Sequence, residues 1–62
     1  MVIEIRFDGE QVKVRRFGMG RPMAWSVVAP GEVDESFTHY THDRLRELGE
    51  GIWELPAEVG AA

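Results

Sequence analysis

A chain of 62 residues with a formal net charge of −4 is long enough for one small domain and no more. It contains no cysteine, which excludes disulfides and thiolate zinc sites as sources of stability. The acidic balance argues against non-specific binding to a phosphate backbone. We therefore expect a single domain over residues 1–62 that is stabilised by a very economical core, by association, or by a metal held by histidine and carboxylates.

The charges are divided unevenly along the chain. Residues 1–30 contain five basic and three acidic residues, whereas residues 31–62 contain two basic and eight acidic residues. This segregation leaves room for a local basic patch in the first half. The opening MVIEIRF has neither a basic region nor a long apolar run, so we expect no signal peptide and no membrane span. With no cysteine, the chain fits a cytoplasmic protein or a soluble component of an assembly formed in the cytoplasm.

The first element is a predicted β-hairpin. VIEIRF and EQVKVRRF alternate between apolar and polar residues, and Asp8-Gly9 between them is a favoured type I′ loop. The alternation places Arg15 on the polar face and Arg16 at the rim of the apolar face. The expected register pairs Phe7 with Glu10, Ile5 with Val12 and Ile3 with Val14.

The stretch RRFGMGRP, residues 15–22, combines three arginines with two glycines. It has neither the GxxxxGK pattern of a phosphate-binding loop nor the GxGxxG pattern of a dinucleotide turn. We therefore interpret it as a connection between strands, in which glycine permits positive backbone torsions. The alternative is an exposed loop in which Arg15, Phe17 and Arg21 contact a partner or nucleic acid.

The next elements are a strand and a turn. Residues 23–29, MAWSVVA, are apolar on both alternating faces, which predicts a central strand or one whose second face a partner covers. Pro30-Gly31 indicates a type II turn. The acidic stretch GEVDES is then expected to run over the surface toward FTHY, residues 37–40, a short fourth strand.

A short helix and a last strand follow. HDRLRELG, residues 42–49, has Thr41 as a cap, Asp43 in the first turn and Gly49 as the stop. Leu45 and Leu48 are expected to face the core. IWEL, residues 52–55, is predicted to form a short strand or an extended packing segment, and residues 57–62 a flexible tail.

Four residues form a weak candidate metal site. Imidazole and carboxylate groups are suitable ligands for zinc or other divalent ions, but the histidines straddle the junction into the helix. We therefore expect no bound metal and no other cofactor. The candidates are His39, His42, Asp43 and Glu47.

We expect the protein not to be an enzyme. Ser26 and Ser36 lack the context of a nucleophile elbow, and a domain of this size has little room for a concave active site. Tryptophan and arginine are instead frequent anchors of protein interfaces. The expected partner-binding residues are Arg15, Phe17, Arg21, Trp25 and Trp53.

These features predict a mainly β domain, as a small antiparallel sheet or an SH3-like barrel with an N-terminal hairpin and one short C-terminal helix. The alternative is an open three-stranded α+β sheet with the helix packed on one face. The predicted function is a non-catalytic protein–protein interaction module or a small subunit of a larger assembly, of the accessory or inhibitor type found in bacteria and phages. The expected partner is a protein or a second copy, not a membrane. Nucleic-acid binding through the hairpin and RRFGMGRP is the second hypothesis, and metal binding is the third.

Overall fold

Five antiparallel strands form one sheet in the computed structural model, which describes residues 1–56. The elements are β1 (Val2–Asp8), β2 (Gln11–Gly18), β3 (Arg21–Pro22), β4 (Ser26–Val28), α1 (His42–Leu48) and β5 (Gly51–Glu54). The sheet order is β3-β2-β1-β5, and β4 pairs with the same edge of β2 as β3 does. Within residues 1–56 no pairing joins β5 to β3 or β4, so the sheet is open.

The predicted small antiparallel sheet with one short helix is confirmed, and it has five strands rather than the three of the alternative. The helix lies between β4 and β5 in the chain, and the predicted last strand is β5. The predicted tail, residues 57–62, lies outside the described residues.

The first hairpin has a different loop from the one predicted. Asp8 pairs with Gln11, so the loop is Gly9-Glu10 and the register is displaced by two residues from the expected one. Of these two loop residues only Gly9 has a positive φ, +62°, as in a type II′ loop, whereas the predicted loop required a positive φ at Asp8. A displacement of two residues keeps every side chain on its face. The predicted partners are therefore wrong: Phe7 pairs with Val12, Ile5 with Val14 and Ile3 with Arg16.

RRFGMGRP contains the end of β2, the turn at Met19-Gly20 and the whole of β3. Gly18 pairs with Arg21, and the two loop residues Met19 and Gly20 both have positive φ, 53° and 79°. This is the φ pattern of a type I′ hairpin loop. The interpretation of the stretch as a connection between strands is confirmed.

The predicted central strand over residues 23–29 is wrong in extent and position. Only Ser26–Val28 is extended in the sheet, and this short β4 pairs with β2 alone among the described strands. Residues 23–25 run along the edge of β2, where the Met23 N–H donates to the Arg16 carbonyl oxygen at 2.8 Å. The predicted type II turn follows: the Glu32 N–H donates to the Ala29 carbonyl oxygen at 2.9 Å, with Gly31 at φ +83°.

The predicted strand over residues 37–40 is absent, because Asp34 organises this segment as turns. Its carboxylate accepts hydrogen bonds from the backbone N–H groups of Ser36 and Thr38, both 2.9 Å, and from the hydroxyls of Thr38 and Ser26. Such side-chain bonds compete with a strand ladder. Asp34 was expected on the surface but is 1% exposed. Burial opposes its charge, yet these hydrogen bonds outweigh that effect and hold the pKa of Asp34 below its ordinary value.

The helix begins and ends as predicted. The Thr41 hydroxyl accepts the Arg44 N–H at 3.1 Å, and Gly49, at φ +91°, donates its N–H to the Leu45 carbonyl oxygen at 3.2 Å. Two turns are too short to be stable alone, so packing of the buried Leu45 must hold the helix. No helix in the described part of the chain is long and apolar enough to cross a membrane.

One face of the sheet, called here the covered face, carries the core. The alternating side chains of β1 and β2 on this face pack with Leu45 of the helix and with Leu55, which follows β5. The fully buried or nearly buried core residues are Ile3, Ile5, Val12, Val14, Val28, Leu45 and Leu55.

Candidate functional site

The second face of the sheet, called here the open face, is not covered by the helix. The register places the polar alternation of β1 and β2 on this face, together with Val27 of β4 and Ile52 of β5. Three aliphatic side chains stay exposed on it: Val2 is 39%, Val27 52% and Ile52 62% exposed. The strand residues of the open face include Val2, Glu4, Arg6, Asp8, Gln11, Lys13, Arg15, Phe17, Val27, Ile52 and Glu54.

A carboxylate and two guanidinium groups lie at the centre of the open face. Glu4 Oε1 accepts a hydrogen bond from Arg15 Nε at 2.8 Å and forms an ion pair with Arg15 Nη2 at 2.7 Å, and Glu4 Oε2 accepts a hydrogen bond from Arg6 Nε at 3.0 Å. The hydrogen bond from Arg15, followed by that from Arg6, holds the pKa of Glu4 below its ordinary value. Glu4 therefore balances part of the positive charge of this face and keeps Arg15 in position.

Trp25 lies over Arg15 and completes a layered contact. The Arg15 guanidinium carbon is 4.2 Å from the Trp25 ring centroid and 5.9 Å from that of Phe17. Lys13 approaches the same indole, with Nζ 5.4 Å from a ring centroid. These are cation–π distances. The structure thus brings together three of the five expected partner-binding residues, and Arg15, Phe17 and Trp25 are called here the arginine–aromatic cluster.

The other two expected partner-binding residues lie elsewhere. Arg21 is exposed on β3, next to the turn at Met19-Gly20. Trp53 pairs with Ile3 and so belongs to the covered face, where its Nε1–H donates to the Gly49 carbonyl oxygen at 2.9 Å. Neither residue is part of the arginine–aromatic cluster.

The weak metal candidates do not converge. His42 is buried and its Nε2 donates to the Glu10 carbonyl oxygen at 2.6 Å, whereas His39 is exposed with φ +60°. Asp43 and Glu47 are exposed on the helix, and Glu47 lies 3.6 Å from Arg44. Across residues 1–56 no group of three or more His, Asp or Glu side chains is placed to hold a metal ion.

A cavity opens at the end of the covered face and adjoins the arginine–aromatic cluster, since Phe17 is part of its lining. Its volume is about 680 Å³. It forms between the end of β2, the segment after β3 and the turns around Asp34. Its side-chain lining includes Arg16, Phe17, Met23, Ser36, Phe37 and His39.

Reasoning from the sequence missed Glu4, Val2, Val27 and Ile52 as parts of the site. Apolar residues interrupting an otherwise polar face were the available signal, because a solvated sheet face normally alternates cleanly. The hairpin pattern contained Glu4 on the polar face beside Arg6, which is two residues away on the same strand, but the pairing of Glu4 with Arg15 depends on the true register. Ile52 and Glu4 are neighbours only through the pairing of β1 with β5, which are far apart in the chain.

Comparisons with protein-family models, with curated proteins and with solved structures found no match.

Proposed function

We propose that the chain is a protein-binding module that contacts its partner through the open face of the sheet. One observation carries this proposal: Val2, Val27 and Ile52 are exposed on the uncovered face beside the arginine–aromatic cluster. Apolar side chains left in water add little to the stability of the isolated chain, whereas covering them with a second apolar surface is favourable. The arrangement supports a contact with another protein.

The arginine–aromatic cluster is suited to anchor such a contact. Tryptophan and arginine are enriched among the residues that contribute most to protein interfaces. Arg15 is already held by Glu4 below and Trp25 above. Because its rotamer is restricted in advance, binding costs little additional side-chain entropy.

The charges of the open face indicate the chemistry of the partner. Lys13 and Arg6 flank the cluster, and no carboxylate of residues 1–56 forms an ion pair with Lys13. A complementary surface has an apolar centre and carboxylates toward the Lys13 side, since opposite charges steer association and select partners. We therefore infer a partner whose apolar patch has carboxylates on the side that meets Lys13, and none opposite Asp8 and Glu54.

The test is affinity capture from a nuclease-treated lysate of the source cells with wild-type protein and a Val27→Glu, Ile52→Glu double variant. Met19→Glu is the matched control, since it makes the same chemical change at an exposed apolar side chain outside the open face. We expect a stoichiometric protein that is recovered by the wild type and the control but lost with the double variant. Equal recovery by all three proteins, or no retained protein, would contradict the proposal.

A second copy of the chain is the alternative to a different protein as the partner of the open face. Sedimentation of the purified wild type and the double variant over a concentration series measures it directly. A wild-type dimer that the double variant converts to a monomer would assign the open face to a second copy of the chain.

Nucleic-acid binding is the second candidate function, because Arg6, Lys13 and Arg15 share the open face with Phe17 and Trp25. Single-stranded nucleic acid is bound by such combinations of cations and stacking rings. Against it, Glu4 already occupies Arg15 and Arg6. The test is fluorescence anisotropy of labelled single-stranded DNA and RNA over a salt series. Affinity that falls steeply with salt and drops in a Lys13→Ala, Arg15→Ala variant would favour this candidate over protein binding.

A further inference from the structure

The cavity at the end of the covered face has the size of a small-molecule site. Its volume of about 680 Å³ lies within the range of about 300–1,000 Å³ that is typical of ligand pockets. A second cavity of about 250 Å³ shares Arg16, Met23, Ser36 and Phe37 with it. The two cavities adjoin at these four residues and are called here the recess, and the larger one alone has room for a small organic molecule.

The recess has a positive electrostatic character in an acidic chain. No Asp or Glu lines either cavity, although the sequence contains 11 acidic residues. Arg16 contributes a guanidinium group and forms no ion pair with any carboxylate of residues 1–56, in contrast to Arg6 and Arg15, which share Glu4. Arg16 is therefore available to bind an anionic group.

Asp34 lies behind this recess but does not face it. Its oxygens already accept hydrogen bonds from Ser26, Ser36 and Thr38, and it is not among the lining residues. Asp34 keeps its negative charge, but its oxygens are directed to these donors, and within residues 1–56 it forms no ion pair with Arg16.

Aromatic and sulfur-containing side chains form the rest of the wall. The ring of Phe37 lies 5.8 Å from the Arg16 guanidinium carbon, and Phe17 and Met23 line the same cavity. His39 adds an imidazole from a left-handed backbone position, φ +60°, a conformation that non-glycine residues adopt at a cost and that clusters at binding sites. Planar apolar walls beside a free guanidinium suit a ligand with an aromatic body and one charged head.

We propose that this recess binds a small organic anion, a carboxylate or a phosphate carried on an aromatic body. Arg16 pairs with the head group, for which the guanidinium fork has matching geometry. The side chains of Phe17, Phe37 and Met23 enclose the aromatic body. Arg16 lies on the covered face, whereas Phe17 of the larger cavity and Trp25 of the smaller one also belong to the arginine–aromatic cluster. The two proposed sites therefore share these rings, and a substitution of Arg16 tests the recess alone because Arg16 is not part of the open face.

The test is an amide NMR titration of the ¹⁵N-labelled protein with phenylacetate and with phenyl phosphate. Benzylamine is the matched control ligand because it carries the same ring with the opposite charge. Arg16→Gln is the test variant, and Arg21→Gln is its control, since Arg21 is an exposed arginine of the same hairpin that does not line the recess. The two anions distinguish a carboxylate site from a phosphate site.

We expect saturable shifts at Met23, Phe37 and His39 with at least one anion and none with benzylamine. Arg16→Gln should weaken binding by about tenfold or more, the loss of one charge-assisted pair, while Arg21→Gln leaves it unchanged. No saturable shift with either anion, or equal shifts with benzylamine, would overturn the proposal. This comparison of ligands uses wild-type protein, so it remains decisive even if Arg16→Gln does not fold.

Discussion

The two faces of the sheet contain similar residues that differ in burial. Val12 and Val14 on the covered face are fully buried, whereas Val2 and Val27 on the open face are exposed. All four are β-branched residues in strands, and only the helix and the turns packed on one side distinguish them. In so small a sheet, the residue type therefore does not determine which valine is buried and stabilises the fold and which stays exposed on the open face.

The largest loss of stability is expected for a substitution on the covered face. Leu45→Ala removes the buried side chain that attaches the helix to the sheet, and we expect it to lower the free energy of unfolding by about 2–5 kcal/mol. Urea unfolding followed by circular dichroism measures the change. A chain of this length has little stability in reserve, so the variant is expected to be partly unfolded at room temperature. A loss below about 1 kcal/mol would mean that the helix does not hold the core together.

Asp34→Asn tests the turns that cover one end of the core. Asparagine cannot accept all the hydrogen bonds that the carboxylate accepts, and we expect a loss of about 1–3 kcal/mol at neutral pH. Glu35→Gln, at the exposed neighbouring acid, is the control and should change little.

The pH dependence of stability provides a second test of the Asp34 carboxylate. Because the pKa of Asp34 is lowered in the folded state, its contribution is present above the unfolded pKa and is lost as the pH falls through the folded pKa. Acidification should therefore reduce the melting temperature of the wild type more than that of Asp34→Asn. Parallel melting curves across the acid range would show that Asp34 does not contribute in this way. Glu4, whose pKa is also lowered, adds the same trend to both proteins.

A substitution in the turn between β2 and β3 should change the stability without altering either face of the sheet. Met19 is fully exposed at φ +53°, a position that asparagine occupies more readily than methionine. Met19→Asn should therefore raise the free energy of unfolding by about 0.5–1 kcal/mol, while Met19→Leu leaves it unchanged. Thermal unfolding of the three proteins provides the measurement. A decrease with asparagine would show that the methionine side chain makes a stabilising contact.

The smallest change in stability is expected for a substitution on the open face. Ile52→Thr keeps a β-branched residue in β5 and removes exposed apolar surface, so the free energy of unfolding should change by no more than about 0.5 kcal/mol. Capture of the protein partner should nevertheless weaken. Urea unfolding and quantitative capture of the same preparation separate the two quantities. A large loss of stability would show that Ile52 belongs to the core and would remove it from the proposed interface.

Local patterns in the sequence were sufficient for several elements. Alternation over residues 2–18 determined the faces of the first two strands, and Thr41 and Gly49 marked the ends of the helix. These signals are local, because side-chain direction in a strand and the caps of a helix depend on neighbours in the chain. The type II turn at Pro30-Gly31 belongs to the same class.

Features that depend on distant contacts were decided only by the tertiary structure. The hairpin register depended on which loop type Gly9 adopts. Residues 37–40 form turns in place of the predicted strand, because four donors converge on the carboxylate of Asp34. The candidate site likewise needed the packing: Arg15 and Trp25 meet because the chain passes back along the edge of β2. Alternation assigns a residue to a face, but which face is covered depends on where the helix packs, and that is a property of the whole chain.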